Sequence, residues 1–238
     1  MTTPAPAPTL VIAHRTAPRD ARENSLDGIA TAAGFGADVV EVDARRSRDG
    51  TAVLLHDPWL LRVQHLPLSV KWVRDARLAR LGVPTLADAL EVAGEVGVRL
   101  AVDTKDAGAA AAVLGAVRTG GDTDRVLLWS QHMPVVRSYV RALPDAEVAL
   151  LRDTFEPAAH DRLLADAAAI GARAVSAHED AVTPAFIAAA ADRGLAVYCW
   201  YQHLDVQRAR LADVSAAGLV GVVTDWPADA RELLRGDG

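Results

Sequence analysis

Short apolar runs alternate with longer Ala- and Leu-rich stretches along the chain from residue 9 onward. Runs of four to eight apolar and β-branched residues read as strands, and longer stretches with helical spacing read as helices. The expected strands are Thr9–Arg15, Ala37–Arg45, Arg99–Lys105, Arg125–Gln131, Glu147–Arg152, Ala172–Ala177, Leu195–Tyr201 and Gly221–Asp225. Helices are expected near Ser25–Gly34, Thr85–Val96, Ala107–Thr119, Met133–Leu143, His160–Ile170, Pro184–Arg193, Asp205–Ala217 and Ala228–Leu234. Thr183 before Pro184 reads as a helix cap followed by proline at the first helical position. Residues 46–84 break the alternation: a turn signal at Asp49-Gly50, an extra apolar run Thr51–His56, then a mixed stretch. Eight β/α units in one chain predict a (β/α)8 TIM barrel, with a small insertion after the second strand lying over the barrel mouth. A doubly wound open sheet competes, but it usually has fewer strands at this length. The barrel reading places functional residues where strands end and the following loops begin.

Composition narrows the picture. Of 238 residues, 51% are hydrophobic and 24% charged, which suits one folded domain over 9–238 rather than a disordered chain. Residues 1–8, with three prolines, read as a flexible tail. The net charge of −6 argues against a general nucleic-acid partner. Cys199 is the single cysteine, so neither an intramolecular disulfide nor a Cys-rich zinc site is expected. The start has no signal-peptide pattern, and no apolar run reaches the roughly 18 residues of a membrane span. A cytoplasmic protein with no stable membrane anchor is therefore expected.

The candidate chemistry sits at strand ends. The first strand ends in His14-Arg15, the second carries Glu41-Val42-Asp43, the third ends Asp103-Thr104-Lys105, and the inserted run ends His56-Asp57. Residues i and i+2 of a strand project to one side, about 6–7 Å apart along the backbone. Val39, Val40 and Val42 mark a strand buried on both faces, so Glu41 and Asp43 would share one low-dielectric pocket. Two unpaired carboxylates cannot both stay ionised there cheaply, and a divalent cation would resolve the conflict. Asp103 on the next strand could add a third oxygen. Oxygen-only ligation favours Mg2+ or Ca2+.

The ordered run His14-Arg15, Glu23-Asn24-Ser25, Gly36-Ala37-Asp38-Val39-Val40-Glu41-Val42-Asp43, Asp49-Gly50 and His56-Asp57 resembles the glycerophosphodiester phosphodiesterase family, within the phospholipase-C-like phosphodiesterases. Pro84-Thr85-Leu86 and Thr224-Asp225-Trp226-Pro227 resemble that family's later motifs. The resemblance implies a (β/α)8 barrel that hydrolyses a small-molecule phosphodiester with one divalent metal. It implies His14 and His56 as general acid and base, and Glu41, Asp43 and Asp103 as metal ligands. It further implies Arg15 and Lys105 as phosphate contacts, and it matches Trp200 to an aromatic segment of the family. Three departures stand out: Thr16 replaces a glycine, Arg22 a proline, and Asp103 a glutamate.

Several readings stay open at this level. Asp57 either orients His56 or caps a turn. Trp59, Trp129, Trp200 and Trp226 either pack the rim or line an aromatic mouth that receives an apolar or quaternary-ammonium alcohol. His132, His178 and His203 also fall at strand ends. The same residues serve hydrolysis to an alcohol and glycerol 3-phosphate, lyase-type cleavage to a cyclic phosphate, or a non-catalytic barrel that binds phosphate or metal.

Overall fold

The computed structural model describes residues 8–121, 123–153 and 157–236, so the expected tail falls, Pro8 apart, outside the described residues. Among the described residues nine strands follow one another: β1 (Leu10–Ala13), β2 (Val39–Arg46), β3 (Ala52–Leu54), β4 (Arg99–Thr104), β5 (Val126–Ser130), β6 (Glu147–Arg152), β7 (Ala174–His178), β8 (Ala196–Tyr201) and β9 (Gly221–Thr224). Between and after them run α1 (Leu26–Gly34), α2 (Leu61–Gln64), α3 (Asp75–Arg80), α4 (Leu86–Val96), α5 (Ala110–Gly120), α6 (Met133–Ala142), α7 (Pro157–Ala169), α8 (Pro184–Ala191), α9 (Leu204–Ala216) and α10 (Pro227–Arg235). All strands but β3 are parallel to their neighbours, and β1 pairs with both β9 and β2. The ring is thereby closed: a (β/α)8 barrel, with β3 outside it.

Period-two alternation sorts the strand residues between two cores. Ile12, Val39, Ala101, Leu127, Trp129, Ala149, Ala174, Tyr198 and Val223 pack inside the barrel. Val11, Val40, Val42, Leu100, Leu128, Leu150, Val175 and Val222 face outward onto the helices. Trp129 and Tyr198 fill the interior with ring centroids 5.1 Å apart. A Cβ at residue 221 would lie 2.8 Å from the Tyr198 ring, so glycine there makes room for that aromatic. Thr183 caps α8 by accepting from the Phe186 N–H, as the sequence suggested.

β2 outruns β1, and its free edge pairs antiparallel with β3 through Ala44–Leu54, Arg45–Val53 and Arg46–Ala52. From β3 the chain builds a small platform with its own core of Val53, Leu55, Leu60, Val70, Val73, Leu78 and Val83. No helix among the described residues is long and apolar enough to cross a membrane.

Candidate active site

β1 ends at Ala13, two residues short of the expected Arg15, and the reason is chemical. Ala13 is the last ladder residue, paired with Thr224, and His14–Thr16 form a tight 3-10 turn. Arg15, Thr16 and Ala17 all have positive φ, at 43°, 64° and 58°. The Arg15 N–H turns from the sheet and donates to Glu41 Oε2 at 2.8 Å. Thr16, where the family has glycine, holds its left-handed conformation by packing on α1. Its hydroxyl accepts from Ser25 N–H and donates to the Arg22 carbonyl, both at 3.3 Å. A Cβ at residue 28 would lie 2.3 Å from that hydroxyl, so Gly28 is needed for the approach. Arg22, in place of the family's proline, donates to the Gly82 carbonyl and ties this loop to the platform.

Glu41 and Asp43 project inward from β2, and Asp103 stands beside Asp43 in the β2–β4 register. All three are buried, and one carboxylate oxygen from each lies within 4.8 Å of the others. Asn24, with φ 53°, grips Asp43 twice: its Nδ2 donates to Asp43 Oδ2 at 2.7 Å, and the Asp43 N–H donates to its Oδ1 at 2.8 Å. Lys105 extends the β4 ladder by donating its N–H to the Ala44 carbonyl. Its Nζ pairs with Asp43 Oδ1 at 2.8 Å and with Asp103 Oδ2. Arg15 Nε stands 3.5 Å from Asp43 Oδ2.

Burial, then the nearby Asp43, pushes Glu41 up to about 7. Burial opposes ionisation of Asp43 too, but Lys105, Arg15 and His56 outweigh it and hold this carboxyl below its ordinary range. Burial pushes Asp103 up despite its ion pair with Lys105. The Lys105 ammonium is disfavoured by burial, yet Asp103, Asp43 and Glu41 hold it well above the usual lysine value.

The donor set fits a hard divalent cation. One Asp103 oxygen, Oδ1, is buried without a hydrogen-bond partner. Arg15 and Lys105 face three clustered carboxylates, so acids outnumber cations there and a divalent cation would be welcomed. Burial and the neighbouring Asp43 both favour the neutral form of Glu41, and a bound cation would favour the ionised one.

Each candidate histidine has a carboxylate on Nδ1. His14 Nδ1 lies 2.7 Å from Asp225 Oδ1, and His56 Nδ1 lies 2.7 Å from Asp57 Oδ1. Such a bond fixes the tautomer and leaves Nε2 to exchange protons. The two rings are tuned oppositely. Burial would lower His14, but Asp225 and Glu41 overcome it and raise the ring above its ordinary 6.5. Burial, with Arg15 and Lys105, lowers His56 against the pull of Asp43. Asp57 therefore orients His56, and Arg62 braces it: Nε donates to Asp57 Oδ2 at 2.5 Å, while both terminal nitrogens hold the Glu23 carboxylate at 2.6 and 2.7 Å.

His14, Arg15, Glu41, His56, Asp103, Lys105 and Trp200 all line one cavity of about 120 Å3, and Asp43 lies beneath it on Lys105. Ser176 and Trp129 complete its far wall. Ser176 Oγ, Trp129 Nε1 and Trp200 Nε1 are buried there without a hydrogen-bond partner. The aromatic mouth is smaller than the four tryptophans suggested. Trp226 is covered by the Arg19 guanidinium, 5.2 Å from its ring, and Trp59 faces a separate outer groove. None of the three other strand-end histidines lines the cavity. His132 is exposed, His178 is buried edge-on to Trp200, and His203 sits on Glu179. Asn24, Arg62 and Asp225 are partners the strand-end reading left without roles. Asp225 could have been found from ring closure, which makes the last strand a neighbour of the first.

Residues 14–229 match the model of the glycerophosphoryl diester phosphodiesterase family. A glycerophosphodiester phosphodiesterase of Caldanaerobacter subterraneus is 24% identical over 163 residues, 60% of this chain and 66% of its own length. The Arabidopsis thaliana glycerophosphodiester phosphodiesterase GDPD4 is 25% identical over 215 residues, 81% of this chain and 64% of its own. The chain thus matches just under two thirds of each of these relatives. A phosphodiesterase of Oleispira antarctica, solved with the product sn-glycerol-3-phosphate, shares the fold at TM-score 0.83 and 20% identity, covering 96% of this chain and 97% of that one. The family match takes in the cavity and nearly all of the described barrel, and on that ground the chain belongs to the glycerophosphoryl diester phosphodiesterase family.

Proposed function

We propose that the protein hydrolyses glycerophosphodiesters to an alcohol and glycerol 3-phosphate, using His14 and His56 as acid and base and one divalent cation held by Glu41, Asp43 and Asp103. The observation that carries this reading is the shared cavity: two carboxylate-oriented histidines, three buried acids and two cations meet in a space the size of a small anion. A phosphodiester under attack gains charge on its non-bridging and leaving oxygens. Arg15 and Lys105 are placed to neutralise part of that charge, and Mg2+ or Ca2+, when bound, supplies the rest as a Lewis acid. An alkoxide departs poorly unless it is protonated, and a histidine pair with pKa values pushed in opposite directions suits taking one proton and giving another.

The wall of β5 to β9 supports the choice of substrate. Ser176, Trp129 and Trp200 hold donors that want acceptors, and glycerol hydroxyls provide them. The cavity is below the roughly 300–1,000 Å3 of drug-sized pockets, which leaves the leaving alcohol to extend outward. The product seen with the Oleispira antarctica phosphodiesterase is the one we extend to this chain.

The test is a panel of glycerophosphocholine, glycerophosphoethanolamine and glycerophosphoglycerol, each with Mg2+, Ca2+ or EDTA, with all products identified. Glycerol 3-phosphate plus free alcohol, lost with EDTA, is expected. Turnover indifferent to chelation, or no turnover of any diester, contradicts the reading.

A further inference from the structure

The platform after β2 differs from the rest of the molecule in charge and in surface. Residues 46–84 carry seven Lys or Arg against three Asp, a net of +4 in a chain of −6. All seven basic residues are exposed. Of the four large hydrophobic side chains exposed among the described residues, three stand here: Trp59 at 54%, Leu61 at 56% and Trp72 at 69%. They are not held out by looseness. Leu60, between Trp59 and Leu61, is fully buried, and Val70 and Val73 are buried on either side of Trp72. Trp59 is bridged to Ser69, and backbone bonds join Leu60 to Leu68 and Val70 to Pro58.

Trp59 and Trp72 line one outer groove of about 740 Å3 together with Arg46, Arg48 and Lys71. The Lys71 ammonium lies 5.3 Å from the Trp72 ring. Water penalises such a patch of indole and leucine, and a soluble surface keeps one where something covers it. Indole rings beside Lys and Arg match the headgroup layer of an anionic bilayer, which takes the rings at its polar boundary and the cations at its phosphates. A nucleic acid or other soluble polyanion would use the cations but has no need of Leu61.

We propose that the platform face bearing Trp59, Leu61, Lys71 and Trp72 docks reversibly on an anionic lipid bilayer. The groove runs inward to Asp106, which pairs with Arg45 at 3.6 Å, and Arg45 Nε donates to the His56 carbonyl at 2.8 Å.

The test is co-sedimentation of the purified full chain with vesicles of phosphatidylcholine alone, and of phosphatidylcholine and phosphatidylglycerol in equal parts. Binding is expected only to the anionic vesicles, and high salt should release it. Trp59→Ala with Trp72→Ala should weaken partitioning by about tenfold or more. Arg48→Glu with Lys71→Glu should do the same. Circular dichroism and hydrolysis of a water-soluble diester should be unchanged in both. No binding by the wild-type chain overturns the proposal, as does binding that survives either pair. Loss with the charge pair alone would identify a soluble polyanion site. Variants that instead raise KM for a soluble diester would make the groove a substrate subsite, and a concentration-dependent dimer lost in them would make it a contact between copies. Each of these also overturns the lipid assignment. Vesicle binding is read without turnover, so it fails or stands apart from the hydrolytic reading.

Discussion

The walls of the cavity are built from different materials. The side formed by β1, β2, the residues after β3 and the end of β4 supplies His14, Arg15, Glu41, His56, Asp103 and Lys105. The opposite side, β5 to β9, supplies Trp129, Leu151, Ser176, Trp200 and Val223 from the strands, and Gln131 and the exposed Asp153 just past β5 and β6. Crowding the ionisable groups onto neighbouring strands lets each charge find its counter-charge within a few ångströms, which scattered buried charges could not do. The side of β5 to β9 keeps a mainly apolar lining with three free donors and a single carboxylate, suited to orienting a substrate rather than transforming it. On the proposed reading the first side carries the proton transfers and the second orients the substrate, so mutations on the two sides should separate kcat from KM.

The largest effect belongs to the charged side. His14→Ala or His56→Ala should lower kcat by about 10²–10⁴, with the circular dichroism spectrum unchanged. A KM change with kcat preserved would dissolve the division. Next comes Asn24→Ala, which frees Asp43 from two hydrogen bonds. A metal titration of activity should then need about 10–100 times more cation for half-saturation.

Proton traffic offers a third probe. The kcat/KM profile should be a bell whose acid limb, set by His56, lies below 6.5 and whose alkaline limb, set by His14, lies above it. Asp225 raises His14, so Asp225→Asn should move the alkaline limb down. An unmoved limb would remove His14 from the proton path. On the opposite side, Trp200→Phe keeps an aromatic ring and deletes the donor. It should raise KM about fivefold and spare kcat, a loss of ~1 kcal/mol. The smallest change is expected at Thr16→Gly. Relief of a left-handed threonine, worth ~1 kcal/mol, is set against two long hydrogen bonds, so Tm should move by only a few degrees.

The barrel was legible because hydrophobic period and length alone separate its strands from its helices. The charged side was legible for a related reason: Glu41 and Asp43 interrupt a strand that is otherwise valine, and acids in such a place demand an explanation. Contacts made across long sequence separations were less accessible. Asp225 reaches His14 only because the ring closes, and Arg62 lies in the platform, where no periodicity guides the eye. Asn24 serves Asp43 through a left-handed turn that its motif does not reveal. Ser176 and Trp129 read as ordinary inward strand residues until the cavity shows their donors without partners.

The most direct test of the division between a reacting and a recognising side is hydrolysis of sn-glycero-3-phosphocholine in 18O-water by the metal-loaded protein. One 18O atom in the phosphate of glycerol 3-phosphate, with choline released unlabelled and no label incorporated by His14→Ala or His56→Ala, is the result expected. Unlabelled product, a cyclic phosphate, or label in the choline would contradict it.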